Sequence, residues 1–169
     1  ILADGAWDAA MGTNNTGYDF GVGSSFAAPQ VSGALALLAQ AFPTLTPHEL
    51  RVRLLASANN RFFNADGTVQ LAAGFNKRYS FKYGVGFLDV RAALLPIGPT
   101  SMSTGNGVQV NASQPVIVAG SAMGDAVSRS LKGVDVAVTD VLDTPFGMHG
   151  DALATTVGPQ PIGISQLYK

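Results

Sequence analysis

The sequence predicts helices mixed with strands over its first part and a strand-rich texture over its last. Three observations carry that expectation. An apolar, small-residue run from Phe26 to Phe42 leads directly into a capped amphipathic segment at Thr46. Residues 59 to 83 alternate turn-prone and aromatic residues. After Leu95 the chain passes through PIGPTSMSTGNG into runs rich in valine. With 47% hydrophobic and only 12% charged residues, the composition is that of a packed chain, not a disordered one. A net charge of −1 and the lack of a basic run give no electrostatic reason to expect nucleic acid or an anionic membrane as partner. The chain has no cysteine, which excludes a disulfide framework.

Taken in order, the Phe26–Phe42 run is apolar nearly all round and reads as a helix enclosed on most sides, with Ala27, Ala28, Gly33, Ala34 and Ala36 allowing close neighbours. Its length and its polar interruptions argue against a membrane span. The next helix has a complete start signal: Thr46 as N-cap, Pro47 at the first helical position, Glu49 closing a capping box, and Leu45 with Leu50 as a hydrophobic staple. Leu50, Leu54 and Leu55 mark its apolar face, and Arg51 and Arg53 are expected to point elsewhere. Asp66-Gly67 and Gly74, set among Phe62, Phe63, Phe75, Tyr79, Phe81 and Tyr83, suggest a β-hairpin or surface excursion. In GVGFLDVRAALL a tight turn leads into a short helix capped by Asp89. Farther on, QPVIVAG and GVDVAVTDVLD read as strands, the latter alternating at Val134, Val136 and Val138. Between them Met123, Val127 and Leu131 stand at helical spacing, as core positions. Asp151 to Lys169 is punctuated by glycine and proline.

The chemistry-bearing segment is Gly23–Pro29, GSSFAAP, which places a serine where the chain turns sharply into the apolar helix. Helix N-termini present unpaired backbone N–H groups and partial positive charge, so an oxyanion growing there meets donors already in place. Gly23 permits the sharp entry and a close substrate approach, while Pro29 is expected near the first turn, where its missing N–H costs little. The ordinary role of a serine at such a place is a cap. The alternative hydrolase signature G-x-S-x-G fails, because Ala27 stands where it requires glycine.

ILADG before the motif, GSSFAAP itself, then QVSGALALLAQAFPTLTPHELRVRLLASA and YGVGFLDVRAAL together closely resemble the second half of a subtilisin-like serine protease domain. The resemblance implies an α/β fold with a mostly parallel sheet. It makes Ser25 the nucleophile and its backbone N–H one oxyanion donor, with the Ser24 hydroxyl, where the family usually has threonine, a weaker helper and Gly23 adjacent to substrate. Phe26 stands where the family often carries methionine. Residues 107 to 150 are similar to the stretch after the protease domain in bacterial autotransporter subtilases, where the chain leads toward an outer-membrane barrel. The implied protein is a secreted or cell-surface serine endopeptidase acting on peptides or proteins. Calcium is common in the family, yet no residue here matches a calcium motif.

A serine hydroxyl needs a base oriented by a carboxylate. In the subtilisin order Asp, His, Ser, both precede the serine, and none of the 24 residues before Ser25 is histidine. Asn14 and Asn15 lie too close to Ser25 to match the family's oxyanion asparagine. The expected organisation is therefore residues 1–95 as the C-terminal half of the peptidase domain, 96–107 as a linker and 108–169 as a β-rich segment. The upstream half is the expected partner, covalently linked or as a separate chain, and the isolated piece should be inactive. His48, in LTPHEL, reads as an exposed helix residue and His149, in FGMHGDA, as a loop residue, neither catalytic. Two rival functions remain at this point: a non-catalytic surface domain on a protease scaffold, and an esterase using the same serine.

Overall fold

The computed structural model describes the chain except residues 11–16, 105, 121–123 and 158–169. It divides into two compact units, Ile1–Ile97 and the residues from Gly98 onward.

The first unit opens with a β-hairpin, β1 (Ala6–Ala10) against β2 (Tyr18–Val22), antiparallel with Ala6 opposite Val22. Two helices come next, α1 (Ser24–Ala41) and α2 (Pro47–Ser57). A second antiparallel hairpin pairs β3 (Gly67–Ala72) with β4 (Phe75–Tyr79), its register broken by an irregularity between Gln70 and Ala72. The short helix α3 (Val90–Leu94) ends the unit, with the Asp89 carboxylate accepting the Ala92 N–H at 2.8 Å, as a cap should. Parallel pairing enters where Leu2 lies beside Phe87: the Leu2 N–H donates to Gly86 O at 2.8 Å and the Leu88 N–H to Leu2 O at 2.7 Å. On its other side Phe87 exchanges backbone bonds with Asn59. Gly86 makes that close approach possible. Its φ is 121°, and a Cβ there would lie 2.2 Å from the Asn59 oxygen.

The core of this unit is Ala34 and Leu38 of α1, Leu50 and Leu54 of α2, and Ala93 of α3. The capping box of α2 is complete. Thr46 N–H and Oγ1 both donate to Glu49 Oε2 at 2.7 Å, and the Glu49 N–H donates back to Thr46 Oγ1 at 3.3 Å. These bonds hold the Glu49 carboxyl below the usual glutamate range.

Three expectations for this unit need correction. Helix α1 is not enclosed on most sides: among its residues Ala34 and Leu38 are buried, whereas Ala28, Ala36 and Leu37 are exposed, because α2 and α3 pack against one face only. Pro29 is not in the first turn. With the helix starting at Ser24 it is the sixth helical residue, and its missing N–H deprives the Ser25 carbonyl of its i+4 partner. Arg53, assigned to the polar side of α2, is fully buried. Its Nε donates to Ala93 O at 2.7 Å and its Nη2 to Leu95 O at 2.6 Å, while the guanidinium lies 4.6 Å from the Phe42 ring centroid. The charge thus serves the carbonyls that end α3. Lys77 of β4 does the same for α2, donating to Ala56 O at 2.7 Å and Ala58 O at 2.6 Å; burial lowers its pKa.

The second unit contains a four-stranded antiparallel sheet in the order β6 (Gln109–Asn111), β5 (Ser101–Ser103), β8 (Asp135–Thr139), β9 (Pro145–His149). A parallel pair joins β7 (Ile117–Gly120) to β10 (Ala154–Val157), and α4 (Gly124–Leu131) precedes β8. Strand β5 lies inside the stretch read as linker. Ala112, Val138 and Leu153 form the core. Of the alternating valines Val138 is buried and Val136 half-buried, but Val134 precedes the strand and is exposed. Met123, read as a core position, lies outside the described residues, as do 158–169.

Candidate active site

The turn before α1 is built from backbone. The Gly23 N–H donates to Gly5 O at 2.8 Å, which stitches the helix entrance to the segment leading into β1. Gly23 is the N-cap, at φ 156° and ψ 165°, and has no side chain with which to cap. The Phe26 N–H closes the first turn on Gly23 O at 3.0 Å. Ser24 and Ser25, the first two helical residues, therefore hold backbone N–H groups at the positive end of the helix with no intrahelical acceptor available.

Both serines are exposed. Among the described residues no hydrogen bond engages either hydroxyl, so Ser25 is not spent as a cap. The neighbouring Phe26 is half-buried and its ring rests on Gly21 of β2, where a Cβ would come within 2.3 Å of Cζ. A side chain at Gly21 would push that ring aside.

Beside this turn an open cleft of about 540 Å³ is lined by Leu2, Asp4, Gly5, Gln30 and Phe87 among others. Ser25 is not in its lining. Sequence reasoning passed over Gln30, a polar residue interrupting the apolar run; its Nε2 donates to Asp4 O and, at 3.2 Å, to Phe26 O.

The two histidines have partners of their own. His48, exposed in the first turn of α2, has Nδ1 3.3 Å from Arg51 Nη2. His149 is the last residue of β9, not a loop residue as expected, and pairs with Asp135 through Nδ1–Oδ1 at 2.8 Å, opposite it in the β8–β9 register. Among the described residues no group of three or more His, Cys, Asp or Glu side chains is arranged to hold a metal ion. No helix among them is long and apolar enough to cross a membrane.

An exposed serine that makes no capping bond thus stands at the head of a small-residue helix entered through glycine. The model of the subtilase family matches residues 2–86, half of the chain, and the chain belongs to that family of serine peptidases. Among solved structures it is similar to fervidolysin from Fervidobacterium pennivorans, a keratinolytic enzyme related to subtilisin, at 19% identity and a TM-score of 0.38 over 86% of this chain. The chain spans 28% of the length of that enzyme. None of the curated proteins matches.

Proposed function

We propose that this chain supplies the nucleophile of a serine endopeptidase, and that Ser25 is that nucleophile. The observation that carries the reading is the uncommitted, exposed Ser25 hydroxyl in the first turn of α1. In the reaction, Ser25 Oγ attacks the scissile carbonyl carbon while its proton passes to a histidine base. The oxyanion so formed accepts a hydrogen bond from the Ser25 N–H, with the Ser24 hydroxyl as a weaker donor; collapse of the intermediate expels the amine, which takes the proton from the base. Water then releases the acyl group by the same steps in reverse.

The base, its orienting aspartate and a side-chain oxyanion asparagine come from polypeptide outside this sequence, joined in cis or as a separate chain. Tyr18, Phe20 and Val22 share one face of β2 at 73%, 62% and 71% exposure, and Leu37 of α1 is 52% exposed. Exposed apolar surface of this kind on β2 and α1 is what a complementing half of the domain would cover. The chain alone should be inert, and it acts at the cell surface or in the secreted fraction.

The test is fluorophosphonate labelling followed by peptide mapping, with and without the complementary half of the peptidase domain. Labelling at Ser25 only in the complemented protein is the expected result. A folded, complete domain that takes no label at Ser25 would falsify the assignment.

A further inference from the structure

We infer that Gln30 is a positioning residue for Ser25, an inference that rests on the proposed role of that serine. The side-chain amide of Gln30 donates to two carbonyls, one on Asp4 and one on Phe26 at 3.2 Å. Asp4 adjoins Gly5, whose carbonyl receives the Gly23 N–H at 2.8 Å. Ser25 is thus bracketed: the chain before it is tied at Gly23 to Gly5, and the helix after it is tied through Gln30 to the adjoining Asp4. The Phe26 N–H to Gly23 O bond of 3.0 Å closes the loop between them.

Other restraints act on the same turn. The Gly23–Gly5 bond fixes the approach, and the Phe26 ring on Gly21 fixes the direction of the residue after the serine. Gln30 adds a hydrogen-bonded link from the helix side of the turn to the segment leading into β1, across a sequence separation of 26 residues. A primary amide suits the task because one –NH2 carries two donors and both partners are acceptors. A carboxylate in its place would aim lone pairs at two carbonyl oxygens and repel them. Pro29 increases the need for the link, since it removes the backbone bond that would otherwise hold the Ser25 carbonyl from inside the helix.

The experiment uses the protein with its complete peptidase domain and reads the rate constant for fluorophosphonate labelling at Ser25. Gln30→Glu should slow labelling about 10- to 100-fold at neutral pH, the range a small displacement of a reacting group can cause. The deficit should narrow as pH falls and the introduced carboxyl regains a proton to donate. On a peptide substrate kcat should fall with KM nearly unchanged. Gln30→Lys, which offers only donors, should stay within about threefold of wild type. Wild-type labelling rates in Gln30→Glu, with a lowered melting temperature, would overturn the inference by showing a purely structural tether. If Gln30→Glu does not fold, the neutral Gln30→Met is read in the same way, and an unchanged rate there overturns it equally. Wild-type protein that takes no label at Ser25 defeats the nucleophile reading itself, a result separable from a wild type that labels and variants that label as fast.

Discussion

Helices α1 and α2 stand next to each other in the first unit and begin in opposite ways. At the start of α2 a threonine hydroxyl and a glutamate carboxylate are fully engaged with each other and with two backbone N–H groups. At the start of α1 two serines carry hydroxyls with no such engagement, and the N-cap is a glycine. Both face the problem of unpaired N–H groups at a helix start. The first satisfies them with side chains at its own sequence positions. The second leaves them open and holds the turn from outside, through Gly5, Phe26 on Gly21, and Gln30. A start that caps itself is stable and chemically silent. A start braced from behind keeps its donors and its hydroxyl available to something that arrives later.

The largest predicted effect breaks the comparison at its functional end. In the complete peptidase domain, Ser25→Ala should abolish fluorophosphonate labelling and lower kcat on the order of a millionfold, the size of loss known for subtilisin when its serine is removed. Because Ser25 makes no capping bond, the same substitution should leave the urea midpoint nearly unchanged. Thr46→Ala should do the reverse, labelling at the wild-type rate while losing about 1 kcal/mol of stability. Loss of both labelling and stability on mutating Ser25 would show that its hydroxyl is a cap after all.

The next largest effect concerns what the two helices share. Arg53 of α2 lies over Phe42, the residue that ends α1, and satisfies two carbonyls at the end of α3. Arg53→Ala would leave the buried Ala93 carbonyl and the part-buried Leu95 carbonyl without this donor and open a cavity, for a loss of about 3 kcal/mol in chemical denaturation. Arg53→Lys should lose less, as one ammonium can still reach a carbonyl but cannot reproduce the planar fork. An alanine variant as stable as wild type would mean that the three-helix core does not depend on this charge.

How far the sequence disclosed these features depends on the range of the interactions involved. The α2 start was fully legible, because a capping box is a contact within four residues and leaves its pattern in the chain as Thr46, Pro47 and Glu49. Asp89 was legible for the same reason, and so was the turn-and-aromatic pattern behind β3 and β4. The glycine–serine entrance to α1 was legible as a sharp turn into a helix, but its bracing was not: Asp4 and Gln30 meet across the fold, and neither residue type announces a tether. Arg53 misled for a related reason. Helical periodicity assigns arginine to water, whereas five donors on a long stem can serve carbonyls of an element some 40 residues away. The exposure of α1 was not legible at all, since an all-apolar helix says that it needs neighbours without saying how many of its faces this stretch of chain will cover.

The smallest predicted effect separates the two helix starts by pH. The Glu49 carboxyl is held below its ordinary range, first by the Thr46 hydroxyl and then by the Thr46 N–H. A carboxyl whose folded pKa is depressed releases its proton more readily in the folded chain. The unfolded chain therefore binds more protons between the two pKa values, and stability rises with pH across that window. The contribution is fully present at neutral pH and is lost as the solution is acidified from the ordinary glutamate range down through the depressed folded value. Hydrogen exchange at the first amides of α2 should thus quicken relative to the helix interior on acidification, after correction for the intrinsic rate, and Glu49→Gln should flatten that response. Among the described residues no carboxylate hydrogen-bonds to the first amides of α1, which should show no such step. A matching acid step at Ser24 and Ser25 would reveal a titrating partner at the α1 start and would erase the contrast between a turn that caps itself and one held open from behind.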